Sequence, residues 1–326
     1  MNSQAELIAI VNQYIEKMQY NPQPEGLYAP IKYVLSLGGK RIRPVLMLMA
    51  YNLYKDDIQT IMPNAIALET YHNFTLLHDD LMDKADMRRG NPTVHKKWDE
   101  NTAILSGDAM LIIAYQLFSE NQKAGTNLIK AMQTFNEATL GVCDGQQYDV
   151  EFESRNDVKE EEYMEMIRLK TSLLLACALK IGAQLAGADE EDCNNLYLFG
   201  EKMGLAFQLQ DDLLDVYGNP AVFGKKIGGD ILCNKKTFML INALNIATGE
   251  DKAQLESWIR KKEYNPQEKI QAVTTIYDKV GIKSICQQKI EEIFEQSLQY
   301  LGKVKVEESK KEGLKLFANN LLKRNK

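Results

Sequence analysis

Between Pro92 and Pro220 the chain contains no proline, although six of its eight prolines crowd the first 92 residues. Proline breaks helix interiors, so the run from 93 to 219 is free to form long helices. Apolar residues there recur at helical spacing, as in Leu105, Ala109, Ile112, Ile113 and Leu117. The stretch "YMEMIRLKTSLLLACALKIGAQLAG" (163–187) reads as one helix, amphipathic at first and apolar all round later, the signature of a central helix. No sustained apolar/polar alternation and no Asn-Gly hairpin is found. The pattern predicts an all-α fold. Two stretches read as loops, the polar 84–102 and the Gly-rich 218–236. No shift in composition marks a boundary, so 1–326 is expected to be one domain.

Inside that helical pattern one arrangement is costly. "LLHDDLMD" (76–83) and "FQLQDDLLD" (207–215) share the core Asp-Asp-Leu-x-Asp. On a helix Asp79 and Asp83 lie one turn apart on one face, with Asp80 beside them; Asp211, Asp212 and Asp215 repeat this. Like charges at that spacing weaken a helix. Apolar neighbours raise the cost further unless a cation compensates. With nineteen aspartates in the chain, the pattern is expected by chance roughly 0.06 times. Two copies in apolar runs, each followed by a basic, Gly-containing stretch, point to hard cations. Mg²⁺ is typically held by one or two carboxylates, waters and substrate phosphates.

Cations stand where a diphosphate would need them. "SLGGKRIRP" (36–44) carries Lys40, Arg41 and Arg43; Arg88 and Arg89 follow the first cluster; Lys225, Lys226, Lys235 and Lys236 follow the second. Lys170 and Thr171 interrupt an apolar segment, so the lysine either snorkels or serves a buried anion. Gln208 is a polar group just ahead of Asp211, and His72 lies two helical turns before Asp79.

Composition excludes little but is consistent. A net charge of −6 argues against a nucleic-acid binder. Five cysteines without a CxxC pair suggest a reducing cytoplasm. No signal-peptide pattern opens the chain. The uncharged apolar stretches, such as 109–118, are shorter than the ~20 residues of a membrane span, so no stable membrane insertion is expected.

From about Leu35 to Thr237 the chain resembles the trans-isoprenyl diphosphate synthases, or polyprenyl synthetases. The ordered stretches are "GGKRIRP", "HDDLMDKADMRRGNPT", "LSGDAML", "GQQYD", "KTSLL", "FQLQDDLLD" and "GKKIGGD…NKKT". The resemblance implies an all-α helical bundle around a deep central cavity, usually a homodimer. It implies Mg²⁺-dependent condensation of isopentenyl diphosphate with an allylic diphosphate. Asp79, Asp80, Asp83, Asp211, Asp212 and Asp215 are similar to the two aspartate motifs that hold three Mg²⁺ ions on the substrate, with Asp79, Asp83 and Asp211 the expected direct ligands. Lys40, Arg43, His72 and Arg89 match isopentenyl diphosphate binders. Arg88, Lys170, Lys225 and Lys235 match binders of the allylic diphosphate. Lys170, Thr171 and Gln208 match groups beside the developing cation.

The resemblance implies that an aromatic five residues before the motif, here Phe74, sets chain length; it lies ~7.5 Å from Asp79 along a helix, with small Thr75 above it and Tyr71 deeper. This predicts C15–C20 products, farnesyl or geranylgeranyl diphosphate. Two features depart from the family's commonest pattern. Asn234 stands where Gly often precedes the lysine, and the first motif lacks a two-residue insertion. A class I terpene cyclase would carry a different second motif, and a non-catalytic subunit would tend to lose one.

Overall fold

Helices account for nearly every element of the computed structural model, which describes residues 2–121, 125–219 and 227–323. The helices of the first two thirds are not all free of proline: Pro30 lies inside one, and Pro44 and Pro63 in the first turns of two others. They are α1 (Gln4–Lys17), α2 (Glu25–Ser36), α3 (Ile42–Asn52), α4 (Met62–Met82), α5 (Val94–Lys97), α6 (Glu100–Ser119), α7 (Thr126–Ser154), α8 (Glu160–Ile167), α9 (Leu173–Ala186) and α10 (Glu190–Tyr217). The last third adds α11 (Gly229–Leu232), α12 (Phe238–Ile246), α13 (Gly249–Arg260), α14 (Pro266–Lys279), α15 (Ile282–Lys303) and α16 (Glu308–Leu322). Local signals set several starts. Asp99 caps α6 by accepting from the Thr102 amide. Asn265 caps α14, whose first residue is Pro266, a position where proline's missing N–H costs nothing.

The structure refines two expectations. The stretch 84–102 is not all loop: Met87–Arg88 (β1) and Asn91–Pro92 (β2) pair as a two-residue antiparallel hairpin, and α5 follows. The stretch 163–187 is not one uniform helix. A π turn at Arg168–Ser172 separates α8 from α9, and hydrophobic periodicity alone does not reveal such a wide turn.

Two compact units form from interleaved segments. The first comprises Met1–Phe135, Ala178–Asn194 and Lys305–Leu314; the second Asn136–Cys177, Asn195–Val304 and Lys315–Lys326. In the first unit α4 packs along α6 and α3. The α3 run from Pro44 to Asn52 is buried throughout, so this helix is apolar on every side and central. In the second unit Tyr163, Met166, Leu209, Leu213, Phe238, Ile276 and Ile282 share one core. By length and composition the stretches Glu100–Ser119 and Glu160–Ala186 could each cross a membrane, but the apolar window of the latter is 78% buried inside the fold.

Candidate active site

Both acidic motifs sit at the C-terminal end of a long helix, where the backbone dipole is negative. Asp83 is the C-cap of α4, and its amide donates to the Asp79 carbonyl at 2.8 Å. Asp211, Asp212 and Asp215 occupy the last two turns of α10. Carboxylates at that end repel both one another and the helix terminus, which leaves a strong demand for positive charge. The sequence meets that demand differently at different positions.

In the first unit the middle aspartate is already spent. Asp80 is 5% exposed. Arg88, from β1, grips it with Nε at 2.9 and 2.8 Å from the two oxygens and Nη2 at 2.7 Å. Asp79 is half-buried and Asp83 exposed. Arg89, next along, adopts a left-handed backbone (φ 52°) and donates to the Gly38 carbonyl. The Gly pair is required by backbone: Gly38 and Gly39 have φ of 74° and 132°, a region that side chains rarely adopt. Lys40 follows, exposed on the turn.

Arg41 anchors this turn from below. Its backbone is also left-handed (φ 48°), and its guanidinium is buried. It donates to Glu69 Oε1 at 2.7 Å, the Leu35 carbonyl at 2.7 Å and Asn12 Oδ1 at 3.0 Å. Left-handed backbone costs about 1 kcal/mol or more for such residues, so the buried pair must hold it. Arg43, two residues on, donates from Nη1 to His72 Nε2 at 2.9 Å. A guanidinium can only donate, so His72 accepts and carries its proton on Nδ1. Burial and then Arg43 push the His72 pKa well below its ordinary value. Burial pushes Arg43 itself down to about 10. Deeper along α4, Phe74 meets Tyr71 edge-on at 5.5 Å, and Tyr71 meets Phe135 at 5.7 Å. Thr75 turns its hydroxyl back to the His72 carbonyl at 2.8 Å.

In the second unit the π turn sets the chemistry. The Leu173 amide donates to the Arg168 carbonyl, five residues back, and the extra residue presents Lys170 and Thr171 side by side. Two close approaches permit this. A Cβ on Gly145 would lie 2.4 Å from the Lys170 nitrogen, and one on Gly204 2.6 Å from the Ser172 Cα. Lys170 Nζ donates to Asp149 Oδ2 at 2.6 Å, with Lys235 Nζ 3.9 Å from the same oxygen. Burial raises the Asp149 pKa, but Lys235 and Lys170 outweigh it and the net shift is downward. The half-buried lysine of the sequence thus serves an anion of this chain. Thr171 donates to Gln208, and Gln208 donates to Asp212. Burial, then Asp230, push Asp212 up to about 7.

Asp215 accepts from the Asp230 amide at 2.9 Å, and its carbonyl accepts from Gly228. Asn234 keeps the turn that glycine usually makes, with φ 52°, a conformation Asn tolerates better than most residues. It also does what glycine cannot, donating to the Ile259 carbonyl and accepting from the buried Lys269 ammonium at 2.7 Å. Thr237 caps α12. Lys225 and Lys226 lie outside the described residues.

Sequence reading singled out the aspartates and cations but gave no role to Asp149, Tyr163, Glu69 or Asp230. Asp149 closes the "GQQYD" stretch, which was a usable signal. Tyr163 lies seven residues before Lys170, and nothing local marks it.

Among the described residues no three His, Cys, Asp or Glu side chains converge as a ready-made metal cage. Mg²⁺ takes few protein carboxylates and completes its shell with waters and phosphate oxygens. Oxygen-only donors at the negative ends of two helices fit that ion.

Comparison with known proteins identifies relatives of the whole chain. The model of the polyprenyl synthetase family matches residues 24–276. The geranylgeranyl diphosphate synthase of Methanosarcina mazei is 40% identical over 233 residues, 72% of each chain. The geranylfarnesyl diphosphate synthase of Natronomonas pharaonis is 36% identical over 255 residues, 73% of this chain and 75% of that one. A crystal structure of a geranylgeranyl pyrophosphate synthase superposes with a TM-score of 0.94 at 41% identity, covering 100% of both chains. The family model over residues 24–276 and a relative 40% identical over 72% of each chain show that the chain belongs to the polyprenyl synthetase family.

Proposed function

We propose that this protein is a trans-prenyltransferase that condenses isopentenyl diphosphate with allylic diphosphates to short-chain prenyl diphosphates of C15–C20. The observation that carries this reading is the placing of both aspartate motifs at helix C-termini beside basic residues on strained or widened backbone. The family's names support the reaction class, and the roles below are those the resemblance implies for the matching positions.

Lys40, Arg43 and Arg89 bind isopentenyl diphosphate. Neutral His72 orients the Arg43 fork by accepting one of its protons. Arg88, held on Asp80, presents its remaining donors to the allylic diphosphate, with Lys170, Lys225 and Lys235 as further cationic partners. Asp79, Asp83, Asp211 and Asp215 would hold Mg²⁺. When bound, Mg²⁺ neutralises charge that develops on the leaving diphosphate. The allylic C–O bond breaks as diphosphate departs, and the double bond of isopentenyl diphosphate forms the new C–C bond. The proton lost from its C2 passes to the departing diphosphate, so no side-chain base is needed. Thr171 and Gln208 offer oxygen lone pairs to the transient cation. Phe74 and Tyr71 limit how far the tail extends.

Two further readings accompany this one. The free cysteines suit a cytoplasmic setting. The exposed apolar residues Ile104, Leu105 and Ile112 on α6 suit burial against a second copy. Sedimentation should give a dimer that Leu105→Glu with Ile112→Glu converts to monomer; a wild-type monomer would contradict this.

The experiment for the reaction is incorporation of labelled isopentenyl diphosphate into acid-labile product. Asp79→Ala and Asp211→Ala should each lower kcat/KM by about 10³-fold or more. Wild-type rates in either variant would remove the metal assignment.

A further inference from the structure

Tyr163 lies outside every stretch that carries the family resemblance, yet its hydroxyl ends inside the second acidic motif. The ring is 1% exposed, among Met166, Leu209, Leu213 and Ile282 in the core of the second unit. From there its O–H donates to Asp212 Oδ2. The other oxygen of Asp212 accepts from Gln208 Nε2 at 3.0 Å. The Gln208 carbonyl oxygen in turn accepts from Thr171 Oγ1 at 3.0 Å. Asp212 is 4% exposed.

This chain of hydrogen bonds has one direction. Asp212 accepts on both oxygens, from the Tyr163 hydroxyl and from the Gln208 amide nitrogen. Gln208 must therefore turn its amide nitrogen toward Asp212 and its oxygen toward Thr171. Thr171 spends its single proton on that oxygen, so its hydroxyl offers only lone pairs to anything else nearby. Without Asp212 as acceptor, the Gln208 amide could flip, present its NH₂ group to Thr171 and reverse the dipoles. Without the Tyr163 hydroxyl, Asp212 loses the partner that fixes it in the core. Both oxygens of Asp212 thus already meet donors of this chain.

We propose that Tyr163 and Asp212 are positioning residues that lock the polarity of the Gln208–Thr171 pair, oxygen lone pairs toward the allylic cation, and that Asp212 serves this role rather than holding Mg²⁺. The inference rests on the condensation reading above. An interaction made only with the developing cation lowers kcat and kcat/KM together and leaves binding alone.

The test compares wild type, Tyr163→Phe, Asp212→Asn and the double variant. The readouts are kcat, KM for the allylic diphosphate, the Mg²⁺ concentration for half-maximal rate, and calorimetric Kd for a non-reactive allylic thiodiphosphate with Mg²⁺. Tyr163→Phe should lose about 10–100-fold in kcat, with KM, Kd and Mg²⁺ requirement within about 3-fold of wild type. Asp212→Asn, whose amide can donate to Gln208, should lose kcat in the same way, and the double variant should fall less than the product of the two losses. If Tyr163→Phe does not fold, Asp212→Asn gives the same decision. Unchanged kcat in a folded Tyr163→Phe overturns the proposal. So does an Asp212→Asn variant that needs 10-fold more Mg²⁺ or binds the thiodiphosphate 10-fold more weakly. An inactive wild type would overturn the condensation reading and this proposal with it, whereas an active wild type with unaffected variants would overturn this proposal alone.

Discussion

His72 shows how one hydrogen bond sets both a charge state and a pH response. Arg43 donates to its Nε2 at 2.9 Å, and four arginines share the neighbourhood. A proton added there would place a donor against a donor. Burial first, and then Arg43, depress the folded pKa, while the unfolded chain keeps the ordinary value of 6.5. As pH falls through 6.5 the unfolded state binds a proton that the folded state refuses, so stability drops with falling pH. Urea unfolding between pH 7.5 and 5 should show this loss, and His72→Gln should lessen it. An identical pH slope in the two proteins would mean His72 does not titrate between the states. The residues that make the site legible are the aspartates, because type and spacing alone declare their cost. Their partners are not legible, because Tyr163 meets Asp212 across 49 positions and no local rule selects that pair. Arg41 was visible as a cation in "GGKRIRP", but its burial on Glu69 was not.

At the scale of elements, the all-α pattern followed from proline spacing and hydrophobic period, and it holds. The π turn did not follow, because residue spacing does not register a hydrogen bond widened by one residue at Arg168–Ser172. Its place at Lys170 and Thr171 accords with the frequent use of such bulges at functional sites. Gly204 makes the turn possible by letting α10 approach Ser172. Gly204→Ala would bring a methyl group to 2.6 Å from the Ser172 Cα, which is backbone and cannot swing away. The expected cost is about 1–3 kcal/mol of stability, with kcat lowered more than KM raised as Thr171 and Gln208 separate. Unfolding midpoints and steady-state rates for this variant check it; wild-type values for both would show that the packing yields without consequence. Asn234 makes the complementary point. The family's usual glycine is absent, yet the left-handed turn is kept because Asn accepts φ 52° and adds two hydrogen bonds.

At the scale of the whole molecule, the account claims a reaction class and a product length. The two rest on different grounds. The class rests on paired motifs that span most of the chain and on relatives that match 72% of it. The length rests on one helix, where Phe74 stands above Tyr71, and Tyr71 stands against Phe135. The family resemblance together with helical spacing located Phe74 and Tyr71, since both lie on the helix of the first motif. It could not locate Phe135, which comes from α7 and meets Tyr71 only in the folded chain. The measurement that tests the central claim most directly is the mass spectrum of products made by purified protein from Mg²⁺, isopentenyl diphosphate and, separately, dimethylallyl, geranyl and farnesyl diphosphates. Wild type should yield linear C15 or C20 diphosphates, and Phe74→Ala longer ones. Chains of C30 or more from wild type would contradict the role of Phe74, and cyclic hydrocarbons with released diphosphate, or no turnover, would contradict the condensation itself.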